Sequence, residues 1–225
     1  MIGILDYGMG NLGSVSNACA FLGLPSSIVA RPAGMGSCDA VILPGVGAFG
    51  DCMDHLGRHG FVEPLRDWIA GGRPFLGICL GLQVLCQGSE ESPGVGGLGV
   101  LPGVARRFRL PEEYKVPQIG WNSVAQKRPE CPLFRGVPDN AFFYFVHSYY
   151  VEASGSDVEA GITSYGMDYT SAVWKDNVVA VQFHPERSQR VGLQMLRNFG
   201  DWVSGDRARS GTGRAEGPGT TDGGA

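Results

Sequence analysis

The stretch that decides the fold is Pro74-Phe75-Leu76-Gly77-Ile78-Cys79-Leu80-Gly81-Leu82-Gln83-Val84-Leu85. Its first half is a short apolar run, typical of a buried strand, and its second half has apolar residues at helical spacing. Cys79 stands at the junction, with a glycine two residues before it and another two residues after it. The pattern predicts a nucleophile elbow, in which a strand turns sharply into a helix and lifts one side chain clear of the sheet.

The predicted elbow would explain why glycines flank Cys79 and why a cysteine stands between them. The turn is tight, so a side chain at Gly77 or Gly81 is expected to clash. Cys79 is expected to point toward the start of the following helix, where the helix dipole and free N–H groups favour a thiolate over a thiol. A buried cysteine in a purely structural joint is the alternative, because cysteine is often fully buried. The stretch by itself leaves both interpretations open.

The bulk composition indicates a soluble globular protein. The chain has 225 residues, of which 43% are hydrophobic and 18% are charged, which is enough for a sizeable core. The net charge of −4 gives no electrostatic case for nucleic acid or an anionic membrane. No apolar run approaches the roughly 20 residues that span a bilayer. We therefore expect neither a nucleic-acid partner nor a membrane.

The cysteines argue for reduced thiols and against a metal site. None forms a C-x-x-C pair, and no histidine pair accompanies them at zinc spacing. The first residues, Met1–Asp6, show no basic region and no cleavage signature. We therefore expect a cytoplasmic protein with no disulfide, no metal and no cofactor. The cysteines are Cys19, Cys38, Cys52, Cys79, Cys86 and Cys131.

The N-terminal part of the chain alternates short apolar strands with amphipathic helices. This alternation predicts an α/β fold with a mostly parallel central sheet and helices on both faces. Besides the elbow strand, the expected strands are Ile2–Leu5, Ser26–Ala30 and Asp39–Leu43. The expected helices are Val15–Leu22, Asp51–His59 and Val62–Ala70.

Between residues 104 and 175 the helical pattern gives way to short β-rich runs, which predict an added antiparallel segment. Asp176-Asn177 is a candidate hairpin turn. A final amphipathic helix at about Arg190–Val203 closes a single domain over residues 1–203. Residues 204–225 contain no large apolar side chain and are expected to form a disordered tail. The expected strands are Phe108–Leu110, Ile119–Val124, Ala141–Val146, Tyr149–Ala153, Val158–Thr163, Ser171–Trp174 and Val178–Phe183.

His184 is the strongest candidate base for Cys79. It stands before Pro185, which biases it to an extended conformation, so His184 and Glu186 are expected to face the same side. A cysteine on an elbow, a histidine base and an acid that orients the base form a nucleophilic triad. The alternative is a structural His-Pro turn with a surface glutamate. The sequence alone does not show that Cys79 and His184 meet.

Pro44-Gly45-Val46-Gly47 is a candidate second half of the site. A Gly-rich loop after a parallel strand can direct backbone N–H groups into the crevice at the strand ends. Acyl chemistry needs such donors for its developing oxyanion, and Leu80 N–H together with an N–H of Gly45, Val46 or Gly47 could provide them. A phosphate-binding loop is the weaker interpretation, because neither Gly-Lys-Ser/Thr nor G-x-G-x-x-G occurs here.

With these pieces in place, the chain resembles the class I, triad-type glutamine amidotransferases from about residue 2 to residue 203. The segments Gly77–Gln83 and Gln182–Glu186 are shared by the whole class. Further segments resemble one family within it, the glutaminase subunits of imidazole glycerol phosphate synthase from histidine biosynthesis. Those segments are Asp6–Leu12, Pro44–Phe49, Gly120–Asn122 and Tyr144–Tyr150.

The resemblance implies a three-layer, flavodoxin-like fold and the hydrolysis of glutamine through a cysteine thioester. Cys79 would be the nucleophile, His184 the base and Glu186 the residue that holds and polarises His184. The carboxylate of Glu91 would suit the α-ammonium group of the substrate. The residues implied to bind glutamine are Gln83, Glu91, His147 and Ser148.

The resemblance also implies a partner, a separate (β/α)₈-barrel cyclase subunit that uses the ammonia to form imidazole glycerol phosphate and an aminoimidazole carboxamide ribotide. The chain is too short to contain such a barrel in addition to the glutaminase domain, so the partner is expected to be another polypeptide. The implied contact residues are Asn11, Trp121 and Asn122. Because valine disfavours the backbone conformations open to glycine, Val46 is expected to leave the oxyanion hole incomplete until the partner turns the Gly45–Val46 peptide.

Three other interpretations stay open. A sister glutaminase could feed a different synthase, although the Asp6–Leu12 and Tyr144–Tyr150 segments argue against it. A catalytically inactive docking subunit is disfavoured by the intact Cys79, His184 and Glu186. A cysteine peptidase or γ-glutamyl hydrolase on the same scaffold would be separated by comparing amide and peptide substrates.

Overall fold

The computed structural model describes residues 1–153 and 156–211. Its helices are α1 (Leu12–Phe21), α2 (Phe49–Arg58), α3 (Val62–Ala70), α4 (Leu80–Gln83) and α5 (Gln189–Gly211). Its strands are β1 (Ile2–Leu5), β2 (Ser26–Val29), β3 (Ala40–Gly45), β4 (Phe75–Cys79), β5 (Gly88–Ser89), β6 (Val104–Arg107), β7 (Gln118–Gln126), β8 (Ala141–His147), β9 (Tyr149–Glu152), β10 (Glu159–Ser164), β11 (Asp168–Lys175) and β12 (Val178–Val181). Short 3₁₀ helices cover Pro32–Ser37, Pro132–Phe134, Ser156–Val158 and Pro185–Arg187.

The main sheet has the order β2-β1-β3-β4-β12-β11-β10-β7-β8. Its first five strands are parallel and follow the order of a flavodoxin-like doubly wound sheet. From β12 onward every neighbour is antiparallel. A side branch joins β5 to β6, β6 to β9 and β9 to β11. The predicted fold class, a parallel layer extended by an antiparallel segment, is confirmed.

A hydrophobic core lies on each face of the parallel strands, because alternate side chains point to opposite faces. Ile42 and Ile78 belong to the core that α1 and α5 cover. Leu43 and Phe75 belong to the core that α2 and α3 cover. These strands are therefore apolar along their whole length, and their carboxyl ends are the edge where polar chemistry can be placed.

The predicted hairpin at Asp176-Asn177 joins β11 to β12, with Lys175 paired to Val178. Asp176 has a positive φ of 50°. The side-chain amide of Asn177 donates to the carbonyls of Ile69 (3.0 Å) and Arg73 (2.7 Å). The hairpin is thus fastened to the end of α3, and it delivers β12 next to β4.

Several strand boundaries differ from the prediction by a few residues, and two of these differences lie beside the site. β6 covers Val104–Arg107 instead of Phe108–Leu110, because the ring of Phe108 is a buried packing element that contacts His147 and Tyr169. β12 ends at Val181, two residues before the predicted end. The chain there leaves the sheet toward the turn that contains His184.

The last helix is longer than the apolar pattern indicated. α5 continues to Gly211, so residues 204–211 of the expected disordered tail are helical. The apolar periodicity ends at Val203, but arginine and alanine are good helix formers, so a helix can continue past the end of that periodicity. Residues 212–225 lie outside the described residues. Within the described part of the chain, no helix is both long enough and apolar enough to cross a membrane.

Candidate active site

Cys79 ends β4 in a strained backbone conformation. Its φ is 55° and its ψ is −107°, a combination that non-glycine residues rarely adopt and that concentrates at functional sites. A Cβ atom at Gly77 would lie 2.6 Å from the carbonyl oxygen of Gly81, and one at Gly81 would lie 2.1 Å from that of Leu43. The predicted elbow is therefore present, and close backbone contacts explain why glycine occupies both flanking positions.

The helix after the elbow is short, since α4 covers only Leu80–Gln83. Stabilisation of a Cys79 thiolate by the N-terminus of this helix and its free N–H groups stays a prediction. His184 is a further source of positive charge beside Cys79.

His184 and Glu186 reach Cys79 because β12 pairs directly with β4. His184 Nδ1 lies 2.8 Å from Glu186 Oε1, and the two side chains are 3% and 1% exposed. His184 Nε2 has no conventional hydrogen-bond partner among the described residues, which leaves it free for a reacting group. The predicted extended alternation is wrong, since Pro185–Arg187 forms a 3₁₀ helix. The turn, not the alternation, brings Glu186 against His184.

The electrostatics favour a charged His184. Burial disfavours the imidazolium, but hydrogen bonding and charge from Cys79 and Glu186 outweigh burial and raise the pKa of His184 above its ordinary value. A protonated imidazole is the counter-ion that a nucleophilic thiolate requires.

A cavity of about 350 Å³ opens in front of Cys79 and His184, a size that suits a small-molecule ligand. Gly45 lies behind the cavity wall. A Cβ atom at Gly45 would lie 2.7 Å from Leu80 Cβ, so only glycine lets this loop approach the elbow. The other expected oxyanion and glutamine residues line the cavity, namely Val46, Gly47, Leu80, Gln83, Glu91, His147 and Ser148.

Glu91 is held by the N-terminus of α2. Its Oε2 accepts a hydrogen bond of 2.7 Å from Phe49 N–H, and Ser92 Oγ accepts one of 2.9 Å from Gly50 N–H. Ala48 at the N-cap position offers no side-chain oxygen, so the distant loop supplies the cap. The sequence carries no local signal for this contact, because Glu91 and Phe49 are 42 residues apart.

Gln182 is a site residue that the sequence analysis did not single out. Its Nε2 donates to Cys79 Sγ at 3.5 Å, and its Oε1 accepts from Gln83 Nε2 at 3.1 Å. Gln83 Nε2 also donates to the carbonyl of Tyr149 at 3.0 Å. The sequence carries no local signal for these contacts, because Gln182 lies 103 residues from Cys79 and 99 residues from Gln83.

Ser188 fixes the backbone of His184. Its hydroxyl donates to the His184 carbonyl at 2.6 Å and accepts from Tyr144 N–H at 3.0 Å. His184 N–H in turn donates to the Tyr144 carbonyl at 2.9 Å. These contacts fasten the histidine to β8, and no short sequence pattern announces them.

With this geometry in place, comparison with known proteins decides the family. Residues 4–201 match the family model described as Glutamine amidotransferase class-I. The imidazole glycerol phosphate synthase subunit HisH of Desulfitobacterium hafniense is 48% identical over 206 residues, covering 92% of this chain and 96% of that protein. The subunit of the same name from Syntrophotalea carbinolica is 49% identical, covering 89% and 100%. The chain belongs to the HisH family of class I glutamine amidotransferases.

Solved structures share the fold of this HisH-family chain at low sequence identity. PurLQS from Thermotoga maritima aligns with a TM-score of 0.72 at 16% identity, over 90% of this chain and 98% of that one. A protein described as a glutamine amidotransferase aligns with a TM-score of 0.71 at 18% identity, over the same shares. These likenesses support the predicted class I amidotransferase fold.

The three expected contact residues of this HisH-family chain lie outside the cavity. Asn11 is half-buried and caps α1, since its side chain accepts from Ser14 N–H at 3.3 Å. Asn122 is also half-buried, and its amide donates to the Ser164 carbonyl at 2.9 Å. Trp121, by contrast, is 45% exposed. Trp121 is therefore the one whose side chain has most surface for a partner.

Within residues 1–153 and 156–211, no group of three or more His, Cys, Asp or Glu side chains is arranged to hold a metal ion. All six cysteines are buried free thiols.

Replacing Cys79 with serine is expected to lower the pKa of His184. A neutral hydroxyl cannot stabilise the imidazolium as a thiolate does, whereas burial continues to oppose its charge. An NMR titration of the His184 ring in both proteins measures the change. Cys131→Ser, which alters a buried thiol outside the cavity lining, is the control and should leave the pKa of His184 unchanged. An equal pKa in Cys79→Ser and the parent would show that Cys79 does not raise the pKa of His184.

Proposed function

We propose that this chain is the glutaminase subunit of an imidazole glycerol phosphate synthase and that it releases ammonia from glutamine through a thioester on Cys79. The observation that carries the proposal is the buried His184–Glu186 pair beside an elbow cysteine, at the wall of a cavity of amino-acid size. Membership of the HisH family supports the assignment of the chain to an imidazole glycerol phosphate synthase.

The reaction begins when the Cys79 thiolate attacks the side-chain amide carbon of glutamine and forms a C–S bond. Leu80 N–H and an N–H of residues 45–47 donate hydrogen bonds to the developing oxyanion. The imidazolium of His184 gives its Nε2 proton to the amide nitrogen, the C–N bond breaks and ammonia leaves. Neutral His184 then takes a proton from water as it attacks the thioester, releasing glutamate and the thiolate. Glu186 keeps Nδ1 engaged throughout and stabilises the imidazolium.

The cavity wall supplies complementary groups for the rest of the substrate. Glu91 is the carboxylate among the lining residues, and its position at the cavity suits the α-ammonium of glutamine. The hydrogen bond from Phe49 N–H at the start of α2 orients this side chain. Gln83, His147 and Ser148 also line the cavity, where amide and backbone groups can bind the polar end of the substrate.

The partner surface is the outer face of the β7–β8 hairpin, at one edge of the sheet. Ile119, Trp121 and Phe142 share this face through the strand register, and they are 63%, 45% and 59% exposed. An exposed apolar edge with an aromatic residue at its centre is typical of a protein interface. We infer that a separate (β/α)₈-barrel cyclase subunit covers it and receives the ammonia.

The oxyanion loop supports activation by that partner. Gly47 has a φ of 97°, whereas Val46 is not among the residues with positive φ. Val46 is also 41% exposed at the cavity, within reach of a partner. Turning the Gly45–Val46 peptide would present a second N–H to the substrate, so we expect the isolated chain to hydrolyse glutamine slowly.

Reconstitution with a cyclase tests the function. The purified chain is assayed for glutamate release alone and after mixing with a cyclase subunit and its nucleotide substrate, and imidazole glycerol phosphate is followed in the same reaction. We expect slow hydrolysis by the chain alone, faster hydrolysis in the mixture and glutamine-dependent product. A soluble, associated pair that forms product from ammonium salt but not from glutamine would refute the proposal. High activity without a partner would refute the activation step alone.

A further inference from the structure

Behind the glutamine cavity lies a buried polar chain that the mechanism above does not use. The side-chain amide of Gln118 is 2.9 Å from the Tyr169 hydroxyl. That hydroxyl is 3.2 Å from His147 Nε2, and His147 Nδ1 is 2.8 Å from the carbonyl oxygen of Tyr149. The three side chains are 3% to 6% exposed. Polar groups this deep have to be paired, so the direction of each hydrogen bond matters.

The proton positions in this row of hydrogen bonds follow from its last member, the Tyr149 carbonyl. The Tyr149 carbonyl can only accept, so His147 Nδ1 carries a hydrogen. Burial lowers the pKa of His147 to about 4, and the charge of His184 acts in the same direction. A neutral imidazole with a hydrogen on Nδ1 has only a lone pair on Nε2. The Tyr169 hydroxyl must therefore donate to His147 Nε2.

The orientation of Gln118, at the other end of this row of hydrogen bonds, is then fixed as well. A hydroxyl has one hydrogen, and that of Tyr169 is committed to His147. Burial raises the pKa of Tyr169 well above its ordinary value, so the hydroxyl keeps this hydrogen. Gln118 must consequently turn its NH₂ group toward Tyr169, an orientation that only the hydrogen-bond network can assign. Gln118 thus donates to Tyr169, Tyr169 donates to His147, and His147 donates to the Tyr149 carbonyl.

This row of hydrogen bonds ends at the wall of the glutamine cavity. The Tyr149 carbonyl accepts a second hydrogen bond, from Gln83 Nε2 at 3.0 Å, and Gln83, His147 and Tyr149 all line the cavity. The rings of Phe108 and Phe145 pack on His147 at centroid distances of 5.3 and 5.7 Å. Among the described residues, the Tyr169 hydroxyl is the partner that the structure gives His147 Nε2.

We propose that Tyr169 and Gln118 are positioning residues for the glutamine site, and that their hydrogen bonds hold His147 as the Nδ1–H tautomer and thereby fix the cavity wall at residues 147–149. This inference rests on the proposed glutaminase function. Neither residue touches the cavity, so their effect on substrate passes through His147.

Tyr169→Phe is the decisive variant, because it removes one hydroxyl and keeps the ring. The dissociation constant of glutamine, measured by calorimetry in a Cys79→Ser background, is expected to rise about 5- to 30-fold, since a buried acceptor loses its donor. In the complex with the cyclase, KM for glutamine should rise by a similar factor while kcat changes less than about twofold. Gln118→Met, which removes the first donor, should act in the same direction with a smaller effect.

The ¹⁵N shifts of the His147 ring supply a readout that loss of packing would not produce. The parent protein should show a protonated Nδ1 and a hydrogen-bonded, unprotonated Nε2 at neutral pH, and Tyr169→Phe should shift the Nε2 resonance. Tyr165→Phe is the matched control, since it removes the hydroxyl that donates to the Lys115 carbonyl outside the network. It should leave glutamine affinity and both resonances unchanged.

Two results would overturn the inference. One is a His147 ring that carries its proton on Nε2 or is charged at neutral pH. The other is a folded Tyr169→Phe protein that binds glutamine as tightly as the parent. Failure of the glutaminase function itself looks different, because the chain would then bind no glutamine in any variant while the His147 resonances could still be assigned.

Discussion

Cys79→Ala is expected to lower glutamine-dependent product formation by the complex about 10⁴-fold or more, the size of effect found when the nucleophile of a triad is removed. We expect no other described side chain to replace the thiol, because the elbow presents Cys79, the candidate nucleophile, beside His184. The measurement is glutamate and imidazole glycerol phosphate formation in the presence of the cyclase subunit.

The same variant carries its own internal control. Ammonium salts bypass the glutaminase site, so Cys79→Ala should form product from ammonium at the rate of the parent complex. Cys131→Ser should keep both activities, because it changes a buried thiol that does not line the cavity. A Cys79→Ala chain that still used glutamine within tenfold of the parent would place the nucleophile elsewhere.

Gly81→Ala is expected to cause a large loss of stability. Its new Cβ would lie 2.1 Å from the carbonyl oxygen of Leu43, a backbone atom of a central strand that cannot move aside. We expect the free energy of unfolding to fall by about 3 kcal/mol, at the upper end of the range for overpacking. For a chain of this size that corresponds to a Tm lower by roughly 6–12 °C, measured by thermal denaturation.

Gly57→Ala is the matched control for this substitution. Gly57 lies in α2 with no atom within 4 Å of the position its Cβ would take. Alanine is the better helix former, so this variant should be stabilised by roughly 0.5 kcal/mol or left unchanged. Equal melting temperatures for Gly81→Ala and Gly57→Ala would show that the elbow has more room than the structure gives it.

Much of the fold could be predicted because its signals are local. The apolar run before Cys79 and the flanking glycines describe a strand and a turn that depend only on neighbouring residues. The same holds for the hairpin at Asp176-Asn177, where two residues connect antiparallel strands. Helix ends were predicted less well, and α5 outlasts its apolar pattern because a helix also continues on intrinsic propensity.

The candidate site could be predicted in its members but not in its arrangement. The wrong step was the extended alternation of His184 and Glu186, because a proline can begin a 3₁₀ turn as readily as continue an extended segment. Gln182 and the Glu91–Phe49 contact were missed for a different reason. Their partners are far away in the chain, so no window of sequence contains both ends of the bond.

The sequence by itself determined the elbow, the identity of the candidate nucleophile and the alternation that builds a parallel sheet, since steric limits on neighbouring residues and the periods of strands and helices act within a few residues. Only the tertiary structure decided that β12 lies beside β4, that His184 therefore faces Cys79, and which way the hydrogen bonds behind the cavity run. Those features depend on strand pairing between distant segments and on burial. Both contribute to stability only when the whole domain is packed.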